Sequence, residues 1–334
     1  MKPFEFSHAA SIRDAIASVA ATGGRYYAGG TNLLDLMKNG VETPDVLVDI
    51  GRLALRDITT TESGGVMIGA GATNSAVANH ELIRTRYPVL SQAILSGATT
   101  QLRNMATAGG NLLQRTRCPY FMDPGFTSCD KRIPGSGCAA RGGFNREHAL
   151  FGAGASCVAV HPSDMAVALA ILDATVLVRG PAGPRVIPLA DFFTLPGDRP
   201  QRDNTLRRAE LITGIELPAS RYAPHSWYLK VRDRHSYAFA LVSVAVGLEV
   251  ADGRIRSAAI AMGGVAAKPW RNVDAEAALV GRPADVETFR AAARLYMAGA
   301  EPLSQNEFKI DLGRHSVVRA LTLAIKDATR LLRP

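Results

Sequence analysis

The chain has 334 residues, of which 47% are hydrophobic and 20% charged, with a formal net charge of +8. The length suggests about two domains, and the composition suits packed cores rather than a disordered chain. No apolar run of about 18 residues occurs, which excludes a membrane-spanning helix; the longest charge-free stretch, Ser236 to Leu248, is strand-like.

The first 50 residues alternate strand and helix signals. Phe4 to Phe6 reads as a strand. Ser11 opens a helix, with Asp14 three residues on as its capping partner. Ile12, Ala15, Ile16 and Val19 give that helix one apolar face, and Gly23-Gly24 stop it. Tyr26 to Ala28 is a strand, Gly29 to Asn32 a turn, Leu33 to Lys38 a short helix, and Val46 to Ile50 a further strand. This β-α-β-α-β order predicts a small parallel sheet. Val66 to Ala70 follows as a strand and Val89 to Leu95 as a helix. Residues 115 to 157 are rich in Gly, Pro, Arg and Cys and form a long irregular insertion. Ser163 to Leu172 is helical. Thr175 to Val178 and Val186 to Leu189 make a hairpin around Gly180 to Gly183. A boundary falls near 220–226. Trp227 to Val231, Leu241 to Val250 and Ile255 to Met262 are three strands, the last two joined at Asp252-Gly253. Helices follow around 274–280, 285–299 and 316–332.

The basic balance does not imply nucleic acid. The 38 Lys and Arg are scattered among 30 Asp and Glu, and aromatics are only 6%. An anionic cofactor, an acidic partner or a solvated surface accounts for the charge equally well. The start, Met1-Lys2-Pro3-Phe4-Glu5-Phe6, has no basic region ahead of an apolar one. Synthesis in the cytoplasm without a signal of its own is therefore expected.

Two segments carry similar chemistry. Ala28-Gly29-Gly30-Thr31-Asn32-Leu33-Leu34 joins a strand to a helix, and Thr107-Ala108-Gly109-Gly110-Asn111 repeats its Gly-Gly, hydroxyl and amide. Glycines allow close approach of a ligand, and successive N–H groups at a helix start suit a diphosphate. Neither segment is a G-x-G-x-x-G or P-loop signature, and a Gly-Gly turn is often no more than a turn. In Pro162-Ser163-Asp164, Ser163 or Asp164 caps the next helix; a functional Asp164 would accept from a ligand hydroxyl. Lys230-Val231-Arg232-Asp233-Arg234 is a solvated strand end or an anchor for an anionic ring or phosphate.

The four cysteines, Cys118, Cys129, Cys138 and Cys157, all fall in the insertion. Clustered cysteines in a chain without a signal point to a metal before disulfides. Their spacings match neither zinc fingers nor ferredoxins, so the count of four fits either a [4Fe–4S] cluster or zinc. Arg115, Arg117, Lys131 and Arg132 stand beside them to offset thiolate charge. Cys157 has the most core-like neighbours and is the weakest candidate ligand.

Together with Gly263-Gly264-Val265-Ala266-Ala267-Lys268-Pro269-Trp270-Arg271, these motifs resemble the FAD-binding medium subunit of molybdenum hydroxylases, the xanthine dehydrogenase and aldehyde oxidoreductase family. The resemblance spans essentially the whole chain. It implies an α+β fold: a two-subdomain FAD-binding module (1–55, and 56–222 with the insertion 115–157), then a C-terminal domain (223–334) with a three-stranded antiparallel sheet and helices. It implies that residues 28–34 and 107–111 hold the FAD diphosphate, that Asp164 meets the adenosine side, and that Lys230 lies near the flavin. The insertion, with Gln114 to Phe121 and Leu229 to Arg234, resembles the bacterial periplasmic aldehyde oxidoreductase branch, whose flavin subunit carries an added [4Fe–4S] cluster. The partners implied are a molybdopterin-binding large subunit, a [2Fe–2S] small subunit and an external electron acceptor, with export on a signal-bearing partner. The competing readings are a flavin oxidoreductase subunit with structural zinc, and a zinc-stabilised basic binding module.

Overall fold

The computed structural model describes residues 1–331, with side chains to residue 326. Strands β1 (Glu5–His8), β2 (Arg25–Tyr27) and β3 (Val46–Asp49) form the expected parallel sheet, in the order β1-β3-β2. Between β1 and β2 runs the helix Ile12–Thr22. Ser11 Oγ accepts from Asp14 N at 3.1 Å, and Asp14 Oδ2 accepts from Ala10 N at 2.8 Å, so each end of the cap holds the other. Ala15 and Val19 on this helix bury against Val48.

A second sheet is built from β4 (Ile58–Thr60), β5 (Val66–Gly69), β6 (Thr175–Gly180), β7 (Gly183–Pro188) and β8 (Leu211–Leu217), in the order β4-β5-β8-β6-β7 with every pair antiparallel. The hairpin β6–β7 is the one expected. The central strand β8 is not announced by its sequence, because Gly214 and Glu216 interrupt its pattern. Tertiary pairing with β5 and β6 fixes it instead. Helices 74–79, 81–86, 88–96, 100–105 and 108–112 lie between β5 and the insertion, and Asp164–Ile171 follows it. That last helix is buried on nearly every side, so its apolar residues show no clear face.

The C-terminal sheet contains β9 (Ser226–Val231), β10 (Val242–Ala251), β11 (Arg254–Gly263) and β12 (Trp270–Arg271), ordered β12-β11-β10-β9 and antiparallel. The two-residue β12 extends the three strands expected. Asp252 and Gly253, with φ of 54° and 69°, make a left-handed two-residue turn that matches strand twist. Helices Val273–Ala277, Val286–Tyr296 and Phe308–Leu331 pack on this sheet. The last begins eight residues ahead of the expected start at 316; the expected end at 332 lies outside the described residues.

Candidate functional site

A cleft of about 890 Å³ opens where the parallel sheet meets the second sheet. Ala28, Gly29, Gly30, Thr31, Asn32 and Leu33 line it, as do Thr107, Gly109 and Gly110. The two Gly-Gly pairs, 80 positions apart, are thus brought to one place. Gly29 makes this possible: a methyl group there would overlap the carbonyl oxygen of Met105, just ahead of the second segment. Gly30 has φ +68°, a conformation that L side chains rarely adopt. Among the described residues, nothing accepts from the backbone N–H groups of Gly29 to Leu33. Five consecutive residues lining the cleft thus keep unpartnered N–H groups, an arrangement that suits an anion.

The second segment is different. It is not an open loop but the helical turn Ala108–Leu112, capped by Thr107 Oγ1, which accepts from Gly110 N at 3.2 Å. Ala108 N and Gly109 N donate to Ala72 O and Ala70 O, each at 2.8 Å, and Asn111 N donates to Thr107 O. Its amides are already spent. What it offers the cleft is the Thr107 hydroxyl and the exposed, side-chain-free surface of Gly110. Leu34, Ala108 and Asn111 lie outside the cleft lining. Ala108 is fully buried, and Asn111 Oδ1 accepts from Ser163 Oγ at 2.5 Å and from Gln114 Nε2 at 2.9 Å. Asn32 Oδ1 accepts from Arg115 N at 3.1 Å, which ties the first segment to the start of the insertion.

Asp164 and Lys230 are not at the cleft. Ser163 caps the helix, accepting from Ala166 N at 3.0 Å, and this leaves the Asp164 carboxylate free. Lys230 Nζ donates to Asp164 Oδ2 at 2.8 Å, and Tyr228 hydroxyl donates to Asp164 Oδ1 at 2.6 Å. Burial, with the Asp164 charge second, holds the Tyr228 phenol well above its ordinary range. Asp164 and Lys230, expected at different ends of the cofactor, are thus in direct contact with each other. Asp164 also lines a second cavity of about 270 Å³, shared with Arg117, Cys118, His148, His161 and Phe239.

All four cysteines are free thiols, and all four line one void of about 10 Å³. Cys129 and Cys138 face each other across an isolated antiparallel bridge, and Gly154–Cys157 forms another. Cys157, the weakest candidate by sequence, faces the void with the rest. Phe121 and Cys129 pack with Leu36 of the helix that follows the first Gly-Gly segment, so the insertion is anchored on the N-terminal unit. Burial pushes the Cys118 thiol up to about 12 and raises that of Cys157, and neighbouring cysteines add to both. A bound metal would supply the positive charge that stabilises the Cys118 and Cys157 thiolates. The donor set suits a metal core, which would have to part the thiols, since the void has room for about one water. Among the described residues, no three His, Cys, Asp or Glu side chains stand grouped as ligands for one ion.

Of the four basic residues expected beside the thiols, only Lys131 lines the void. Its buried Nζ donates to Asp203 Oδ1 and Pro200 O, each at 2.5 Å. Arg117 pairs with Asp35, Arg132 donates to carbonyls, and Arg115 bridges Glu42 and Asp203. The chain Lys131–Asp203–Arg115–Glu42 therefore runs from the void to the cleft. Sequence reasoning also missed His148. Its Nε2 lies 3.1 Å from Cys118 Sγ, and burial, with the Lys309 charge second, lowers the ring to about 4. No spacing signals this, because the contact depends on how the insertion folds back.

The family model described as "FAD binding domain in molybdopterin dehydrogenase" matches residues 2–220, and "CO dehydrogenase flavoprotein C-terminal domain" matches residues 227–324. An aldehyde oxidoreductase FAD-binding subunit of Escherichia coli is 47% identical over 327 residues, 97% of this chain and 99% of that one. The glyceraldehyde dehydrogenase medium chain of Sulfolobus acidocaldarius is 26% identical, covering 97% of this chain and 98% of that one. A chain of quinoline 2-oxidoreductase from Pseudomonas putida superposes with a TM-score of 0.76 at 25% identity, covering 98% of this chain and 99% of its own. Among the described residues no helix is long and apolar enough to cross a membrane. The paired Gly-Gly segments, the free amides of the first and relatives matched end to end place this chain among the FAD-binding medium subunits of the molybdenum hydroxylase family, as an oxidoreductase subunit.

Proposed function

We propose that this chain is the electron-transferring FAD subunit of an aldehyde-oxidising molybdenum hydroxylase, and that its four cysteines hold a [4Fe–4S] cluster of its own. A molybdopterin-binding large subunit and a [2Fe–2S] small subunit are its partners, and an external acceptor takes the electrons. Bound FAD supplies the redox chemistry; the chain binds, orients and shields it. The free amides of Gly29 to Leu33 receive the diphosphate, with the Thr107 hydroxyl opposite. The Asp164–Lys230 pair serves one end of the cofactor beside the second cavity. The aldehyde substrate rests on the likeness to the Escherichia coli aldehyde oxidoreductase subunit, which spans both chains.

The cluster reading is carried by one observation: all four cysteines of the insertion line a single void. Metal, sulfide and flavin analysis of the anaerobically purified complex tests both parts. About four irons and one FAD per chain are expected. FAD with one zinc and no iron overturns the cluster, and absence of flavin overturns the cofactor assignment.

A further inference from the structure

Cys118 is a shared wall. It lines the void with the other three cysteines, and it also lines the second cavity beside Asp164. His148 stands at this wall, Nε2 3.1 Å from the Cys118 sulfur, with the residue 2% exposed. Its Nδ1 has no partner, so the sulfur is the ring's one polar contact among the described residues. The backbone is pinned instead: His148 O accepts from Lys309 Nζ at 2.8 Å and from Asn306 Nδ2 at 3.1 Å. No other side chain among the described residues is hydrogen-bonded to a cysteine sulfur; main-chain N–H groups of Phe121 and Tyr120 reach the Cys118 sulfur, and that of Ala159 donates to Cys157 Sγ at 3.4 Å.

An iron-bound thiolate has no proton and only accepts, so in a loaded site Nε2–H is the donor. Such a bond draws charge from the sulfur. It favours the reduced cluster, which carries one more negative charge, and raises the reduction potential. We propose that His148 is a positioning residue that donates Nε2–H to the Cys118 sulfur and holds up the potential of the iron–sulfur cluster on the side facing the Asp164 cavity. The inference rests on the cluster reading above.

The test uses the whole complex, with His148→Leu and His148→Gln. Iron content is measured, and the cluster midpoint potential is followed by EPR-monitored redox titration. With iron retained, the Leu variant is expected to shift to lower potential. The Gln variant, which keeps an N–H at similar reach, is expected to stay near wild type. An iron-replete Leu variant with an unmoved potential overturns this inference alone. If the Leu variant loses its iron, the Gln variant decides. Wild-type iron and potential in Gln support the bond, while a matching loss or a lowered potential overturns it. A wild-type complex without iron overturns the cluster reading, and this inference with it.

Discussion

Lys230 Nζ and Asp164 Oδ2 stand 2.8 Å apart, with the two side chains 4% and 10% exposed. Lys230 also donates to Ser96 O, and Asp164 also accepts from Tyr228, so the pair joins β9 to two helices. Removing one partner leaves the other charge buried and uncompensated, at a cost of about 3–5 kcal/mol. Asp164→Ala is expected to lower the unfolding temperature and the FAD occupancy together. Asp164→Asn combined with Lys230→Met is expected to recover much of the stability while FAD occupancy stays low. Flavin content and thermal unfolding on the same preparations check this. Full occupancy in the double variant rules out a cofactor role for the pair.

The close approach of Gly29 to Met105 holds the two halves of the cleft together. Gly29→Ala forces the backbones apart, a strain of about 1–3 kcal/mol. If that falls on the cofactor-binding form, FAD affinity drops about tenfold or more. The control is Gly299→Ala, where an added methyl meets nothing within 4 Å and the backbone is unstrained. Flavin retention after gel filtration distinguishes them, and equal retention contradicts the assembled cleft.

Cys157 faces the void as Cys118, Cys129 and Cys138 do. Cys157→Ser is therefore expected to lose as much iron as Cys138→Ser. Full iron in Cys157→Ser, with loss in the other three, would remove it from the ligand set.

His161 is buried, its Nε2 has no partner, and burial lowers its ring to about 4 from an ordinary 6.5. The unfolded chain takes up a proton below pH 6.5, and the folded chain resists until about pH 4. His161 therefore withdraws stability as pH falls through that window. At about 1.36 kcal/mol per unit, the full loss is roughly 3 kcal/mol. His161→Phe, which keeps the ring packed on Phe193, is expected to flatten stability between these pH values. Urea unfolding across the range measures it, and an unchanged slope refutes the assignment.

Local signals were legible in the sequence. The capped first helix and the turns at Gly180–Gly183 and Asp252–Gly253 depend on neighbours within a few residues, and the alternation of strand and helix signals in the first 50 residues announces a parallel sheet. The Gly-Gly segments and the four cysteines were visible as residue types, because only certain side chains, or none, suit a close approach or a soft metal. Tertiary structure decided the rest. Strand β8 exists through partners on β5 and β6. Which Gly-Gly segment keeps free amides depends on Ala70 and Ala72, which consume those of the second. Asp164 meets Lys230 across 66 positions, Lys131 meets Asp203 across 72, and His148 meets Cys118 across 30. Buried charges and polar rings find their partners wherever folding brings them together. Contacts of that kind leave no period or spacing in the chain.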